Sequence, residues 1–275
     1  MSIIEFHLFR VKFAKRKQLP LEFNNLTPSE LFARVISEKP SYEFRAGYNW
    51  HIGNVEQLTT TRGYFAVGRT TSSILEKFDL QSKNFVEEMY DTSPYTHVLY
   101  NTELGLMAIG KKGKLSPTVF GISSKIEKMF SLTDIIRQSG VIVDIDFIRD
   151  PKSFIQKLES AFSIKKYSAS FGGPNPFDAD EYFQKPMSLY LKEANGDNGK
   201  TIIEGKDLDT NVVIEVSKAI ARTGNDASAR IQNEYGKPLT TVSLGQNSIK
   251  FPVNADDFDK NESLVTAEGL FGEIR

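Results

Sequence analysis

Residues 3–13 alternate apolar and polar side chains, the period-two signature of a β-strand. The alternation sends Ile4, Phe6, Leu8 and Arg10 to one face. Ile3, Glu5, His7, Phe9, Val11 and Phe13 go to the other. Apolar groups stand on both sides, so neither face can be left wholly to water. A strand of this kind needs cover, and twofold pairing of two copies is the expected source, which predicts a homodimer. Lys15, Arg16 and Lys17 end the run, and Pro20 blocks its continuation.

Beyond it, Thr27-Pro28-Ser29-Glu30 predicts a helix start, with Thr27 as cap, Pro28 at the first position and Glu30 closing a capping box. Leu31, Phe32, Val35 and Ile36 form its apolar stripe. Strands are expected over 42–45 and 64–67, and a hairpin over 95–112. Ser116-Pro117 opens a second helix, and Gly140 stops the helical segment that follows it. A strand over 141–148, a helix over 151–161 and a strand over 164–171 come next. Gly172-Gly173-Pro174-Asn175-Pro176 reads as a rigid turn, and 178–195 as a helix broken at Pro186. A helix ending at Arg222 and three short strands over 229–253 complete the pattern. This order predicts an α+β fold: two layers, largely antiparallel sheets with helices on one face, in two subdomains. Residues 1–139 are expected as an N-terminal β-rich α+β domain and 140–253 as a C-terminal α+β domain. Residues 254–275, with six acids and two bases, read as an acidic tail.

The chain's 275 residues, 40% of them hydrophobic, suffice for one large domain or two ordinary ones. With no cysteine there is no disulfide, Cys-ligated metal or thiol nucleophile. The three histidines, His7, His51 and His97, are too few for a His-rich metal site, and no cofactor is expected. No apolar run approaches the ~20 residues of a membrane span. The basic residues follow the first strand instead of preceding an apolar stretch, unlike a secretory signal, so a cytoplasmic protein is expected.

Lys and Arg number 34 against 35 Asp and Glu, which excludes a grossly basic nucleic-acid coat. The balance nevertheless hides a basic head. Arg10, Lys12, Lys15, Arg16 and Lys17 lie on or beyond the first strand, and Arg62 and Arg69 flank another. Lys111, Lys112 and Lys114 tip a hairpin, and Lys125 and Lys128 follow in a helix. On a shared sheet these cations would form a stripe for phosphates, giving weak, salt-dependent, sequence-independent binding of nucleic acid, DNA first. The acidic tail has the charge to lie over that stripe and compete. Solvated surface charge is the plain alternative. Asp144 and Asp146 share one strand face about 7 Å apart. Such a pair suits Mg²⁺ in a metal-dependent nuclease, or else a charged strand edge. The turn Gly110–Lys114 lacks phosphate-loop spacing. His97 has Ser93 and Asp91 nearby but no triad spacing, His51 beside Trp50 reads as packing, and there is no G-x-S-x-G elbow. The residues thus point to a non-catalytic nucleic-acid binder, with the nuclease as one alternative and a protein–protein interaction module as another.

The stretch His97-Val98-Leu99-Tyr100-Asn101-Thr102-Glu103-Leu104-Gly105-Leu106-Met107-Ala108-Ile109-Gly110, followed by Thr118-Val119-Phe120-Gly121 and a polar helix start, resembles the RexA-like phage-exclusion proteins of lambdoid prophages. Pro174-Asn175-Pro176 falls where that family has a similar turn. The resemblance implies a dimeric, non-enzymatic DNA binder in antiviral defence (abortive infection). It also implies a small membrane-protein partner, without membrane insertion of this chain. For the interaction-module alternative it implies phage or prophage origin.

Overall fold

The computed structural model describes residues 2–15, 26–172, 183–196 and 198–274. Residues 16, 17, 20, 173–176 and 178–182 of the expectations above lie outside them. The larger sheet contains β1 (Ile3–Lys15), β2 (Ser41–Arg45), β3 (Tyr48–Gln57), β4 (Arg62–Asp79), β5 (Asn84–Thr92), β6 (Tyr95–Asn101), β7 (Leu106–Gly110) and β8 (Val141–Phe147). A second sheet holds β9 (Ser163–Gly172), β10 (Asn198–Glu204), β11 (Ala227–Gln232) and β12 (Thr240–Ser243), and β13 (Lys250–Asn254) returns to the first. The helices are α1 (Pro28–Ser37), α2 (Val119–Ser131), α3 (Asp134–Ser139), α4 (Lys152–Glu159), α5 (Gln184–Glu193), α6 (Thr210–Arg222) and α7 (Lys260–Gly272). Every pairing between these strands is antiparallel, and the fold is α+β as expected.

The larger sheet runs β13-β1-β7-β6-β4-β3-β2. β7 lies along one edge of β1, while β13 and then β8 take the other in succession. The first strand is therefore central, with helices on both of its faces. On one, Phe9 and Val11 join Phe32, Phe65, Met107, Ile126 and Phe130, beneath α1, α2 and α3. On the other, Phe6 and Leu8 join Leu99, Leu106, Leu264, Ala267, Phe271 and Ile274. The expected single helical layer is thus joined by a second, α7. The demand for cover that suggested a twofold partner for β1 is met within one chain.

Local sequence sets several of these elements. The Thr27 hydroxyl accepts from the Glu30 amide, and the Glu30 carboxylate accepts from the Thr27 amide at 2.7 Å, so α1 has its capping box. α2 starts later than its Ser-Pro suggested, because Thr118 is the residue that caps it, accepting from Gly121. Pro186 sits in the first turn of α5 and so starts that helix instead of breaking it. Gly140 closes α3 in the left-handed region, but β8 beyond it pairs with β1, so 141–147 belong to the first sheet. The second sheet packs on α4 and α6 through Phe154, Leu158, Tyr167, Val213 and Ile220.

The segment 254–275 corrects the sequence reading most. Asp259 caps α7 by accepting from Glu262, and Leu264, Ala267, Phe271 and Ile274 are buried at 3-4-3 spacing. A segment built into the core cannot swing over a basic surface. Phe271→Ala is expected to lower stability by about 3–5 kcal/mol in urea unfolding. A chain ended after Val253 should lose its cooperative transition; a native-like melt from that truncation would contradict this packing.

Candidate nucleic-acid interface

The basic head separates into inward and outward parts. Arg10 is 1% exposed, with its guanidinium 5.1 Å over the Phe271 ring. Lys12, with a side chain 3% exposed, donates to Asp146 Oδ2 at 2.7 Å and to the Thr223 carbonyl at 2.7 Å, and lies 3.8 Å from Asp144 Oδ2. Strand register explains this: Arg10 opposes Asp146 and Lys12 opposes Asp144 across β1 and β8. Gly224, at φ +76°, lets the chain pass; a Cβ there would stand 2.5 Å from that of Asp146. Neither Arg10 nor Lys12 lines a phosphate-binding surface, because both are held inside. Of Lys15 only the backbone is described, and Arg16 and Lys17 lie outside the described residues.

The carboxylate pair also reads differently in place. The position between Asp144 and Asp146 that a metal ion would take is filled by the Lys12 ammonium. Among the described residues no three His, Asp or Glu side chains gather as a metal site. Burial, and then the Asp146 charge, raise the Asp144 carboxyl above its ordinary range, with Lys12 opposing. Burial likewise raises Glu127, which accepts from the Ile145 amide at 2.9 Å.

The outward cations collect at one end of the larger sheet. Gly68 pairs with Tyr95, and Thr96 donates to the Gly110 carbonyl at 2.6 Å, so β6 starts and β7 ends beside the middle of β4. Arg69 and the turn 111–114 therefore meet, and Arg69 Nη2 donates to the Lys114 carbonyl at 3.2 Å. Aromatic rings stand among these charges. Tyr48 carries Arg45 at 3.6 Å and Arg69 at 5.5 Å; Lys112 is 5.2 Å over Tyr95; Lys125 is 4.2 Å over Phe44. Lys111, Lys112 and Lys114 are exposed. Arg69 Nε is buried with no hydrogen-bond partner among the described residues. Arg62 is not part of this cluster, since Glu268 binds it through both carboxylate oxygens. Arg45, Tyr48 and Tyr95 were not anticipated; the only sequence signal was the spacing of Tyr and Arg along 42–48.

The histidines divide three ways. His97 Nδ1 meets the Tyr64 hydroxyl at 2.9 Å, and its ring packs 4.7 Å from Phe258. Burial pushes the Tyr64 hydroxyl up to about 12. His51 bridges Ser41 and Thr70 at 2.9 and 3.2 Å. His7 meets Ser248 at 2.6 Å and Glu5 at 3.0 Å, a contact across 241 residues of sequence that no local motif announces.

Two outcomes test the buried charges. Lys12→Ala leaves its carboxylate partners uncompensated and should cost about 3–5 kcal/mol in urea unfolding. The folded chain holds the Asp144 proton more tightly than the unfolded chain does. Stability therefore falls as pH rises past the ordinary carboxylate value. Asp144→Asn should raise Tm at neutral pH and flatten that decline; an unchanged Tm–pH curve would count against it.

No protein-family model matches the chain, and no curated protein matches it, so the RexA-like resemblance stands on the hairpin residues themselves. No helix among the described residues is long and apolar enough to cross a membrane.

Proposed function

We propose that this chain binds nucleic acid, DNA first, through the basic and aromatic cluster at the end of the larger sheet. The setting is the cytoplasmic phage exclusion that the RexA-like hairpin implies. The observation that carries the reading is the meeting of Arg69 with Lys114, which brings a distant arginine to the basic turn beside the half-buried Tyr48 and the exposed Tyr95. Cations contact phosphates without regard to sequence, and rings give any base a stacking face. The nuclease alternative loses its support, because Lys12 fills the place between the two aspartates.

The small size of the cluster favours weak binding, and pairing of two copies would double it. The reason for pairing now lies in the β4–β5 ribbon instead of β1. Thr71 to Asp79 pairs only with Asn84 to Thr92, forming an arm beyond the sheet. A lone two-stranded ribbon is marginal in water. Ile74 with Met89 and Phe78 with Phe85 form two apolar pairs on one of its faces, either side of the opposed Glu76 and Glu87, and Phe85 is 83% and Met89 73% exposed. With Leu80 in the turn these apolar groups are exposed, and a second copy of the arm supplies matching ones.

Fluorescence anisotropy with single- and double-stranded oligonucleotides over a salt series checks the binding. Lys112→Glu with Lys114→Glu should weaken all sequences about equally and lower the salt slope by about two. Tyr48→Ala should cost about 1–3 kcal/mol, chiefly on single strands. A wild-type chain that binds neither form at low salt overturns the reading. In light scattering, Phe85→Glu with Met89→Glu should yield the 30.9 kDa monomer, against twice that mass for the wild type.

A further inference from the structure

The cleft beside β13 is built from parts of the chain that are remote in sequence. It has a volume of about 370 Å³, within the range of small-molecule sites, and His7 and Ser248 line it together. Its wall includes Phe120, Leu270 and Ile274 on one hand and Gln246 and Asn247 beside Ser248 on the other, with Asp150, Lys152 and Glu273 also lining it.

The hydrogen bonds fix the roles of the three polar groups. Glu5 and His7 lie two residues apart on β1, on one face of the strand, and His7 opposes Lys250 on β13. The Glu5 carboxylate divides its oxygens: Oε1 meets His7 Nε2 at 3.0 Å and Oε2 accepts from Lys250 Nζ at 2.9 Å. An ionised carboxylate only accepts, so His7 Nε2 carries the ring proton. A neutral ring then turns the bare lone pair of Nδ1 toward Ser248. The Ser248 hydroxyl, 2.6 Å away, donates into it. This is the order acid, base, hydroxyl that activates a serine, with the ring turned over so that Nδ1 faces the nucleophile. The neighbouring charges keep each group in its required state. Hydrogen bonding to Lys250 holds Glu5 low. Burial first, with Lys250 and Lys111, keeps His7 below its ordinary value against the pull of Glu5. A neutral His7 is the form that takes a proton.

We propose that Ser248, His7 and Glu5 form an acyl-transfer site that hydrolyses small carboxylic esters, an activity beyond the nucleic-acid reading and independent of it. Ser248 Oγ attacks the ester carbonyl carbon as its proton passes to His7 Nδ1, and the carbonyl π pair moves to oxygen. The oxyanion forms in the cleft that Gln246 and Asn247 also line. Collapse of the intermediate breaks the bond to the alcohol oxygen, which takes the proton from Nδ1 and leaves an acyl-Ser248. Water then attacks the acyl carbon, His7 takes its proton and returns it to Ser248, and the carboxylic acid departs. No redox change occurs and water is the only co-reactant. Phe120, Leu270 and Ile274 suit a short acyl chain. Glu5 is a positioning residue, acting through His7.

The full chain is treated with a fluorophosphonate probe and the adduct mapped by mass spectrometry, alongside hydrolysis of p-nitrophenyl acetate and butyrate. The expected adduct is on Ser248, and Ser248→Ala should reduce both labelling and hydrolysis to background. His7→Gln should cost at least about 100-fold in kcat. Glu5→Gln should lower kcat about tenfold with KM unchanged, and Glu5→Asp should restore part of it. Unchanged melting and oligonucleotide binding of Ser248→Ala would place the loss at the site and not in the fold. Mapping on the wild-type chain needs no variant, so the proposal is overturned if Ser248 stays unlabelled. It is also overturned if hydrolysis survives Ser248→Ala in full.

Discussion

Burial of β1 on both faces is the constraint from which the rest of the larger sheet follows. Phe9 and Val11 need α1, α2 and α3 above them, and Phe6 and Leu8 need α7 below. The polar residues of the same strand are then forced inward with the apolar ones. Lys12 is accommodated there by the carboxylates that β8 places opposite it and by the Thr223 carbonyl. Where β1 reaches the rim its polar groups are spent differently: Glu5 and His7 meet Lys250 and Ser248 at the edge of an open cleft.

This arrangement takes part of the basic head off the surface. Arg10 and Lys12 are consumed inside and Arg62 is held by Glu268. Of the cations singled out in the sequence, Arg69 and the lysines of the turn after β7 are the ones brought together on the outside. That cluster joins a mid-strand arginine to a lysine-bearing turn, and its rings come from β2, β3 and β6.

Much of the fold was legible in the sequence. Period two along 3–13, the Thr27–Glu30 box and the hairpin at 95–112 each rest on local rules, and local rules hold when tertiary contacts agree with them. What was not legible rests on pairing at a distance. The stripe of Leu264, Ala267, Phe271 and Ile274 was present, but six acids around it made the segment resemble a solvated tail. The parity that put Arg10 beside Phe6 and Leu8 already implied an inward guanidinium, yet charge argued for the outside. The β4–β5 ribbon carries apolar residues on both faces with acids among them, so no clean alternation marks it. Of the candidate site, the tip lysines and Arg69 were legible, whereas Tyr48, Tyr95 and the His7–Ser248 contact depend on which strands become neighbours.

The pairing of β1 also dictates when the protein can assemble. Its partners are β7, then β8, then β13, so the first strand of the sheet is completed by the last. Contacts so distant in sequence carry a large loop-closure cost and fold slowly. Phe6 and Leu8 are made well before Leu264 and Phe271, which cover them. Until α7 has followed, a doubly apolar strand is open to the wrong partners, so completion of the sheet favours protection of β1 in the interval.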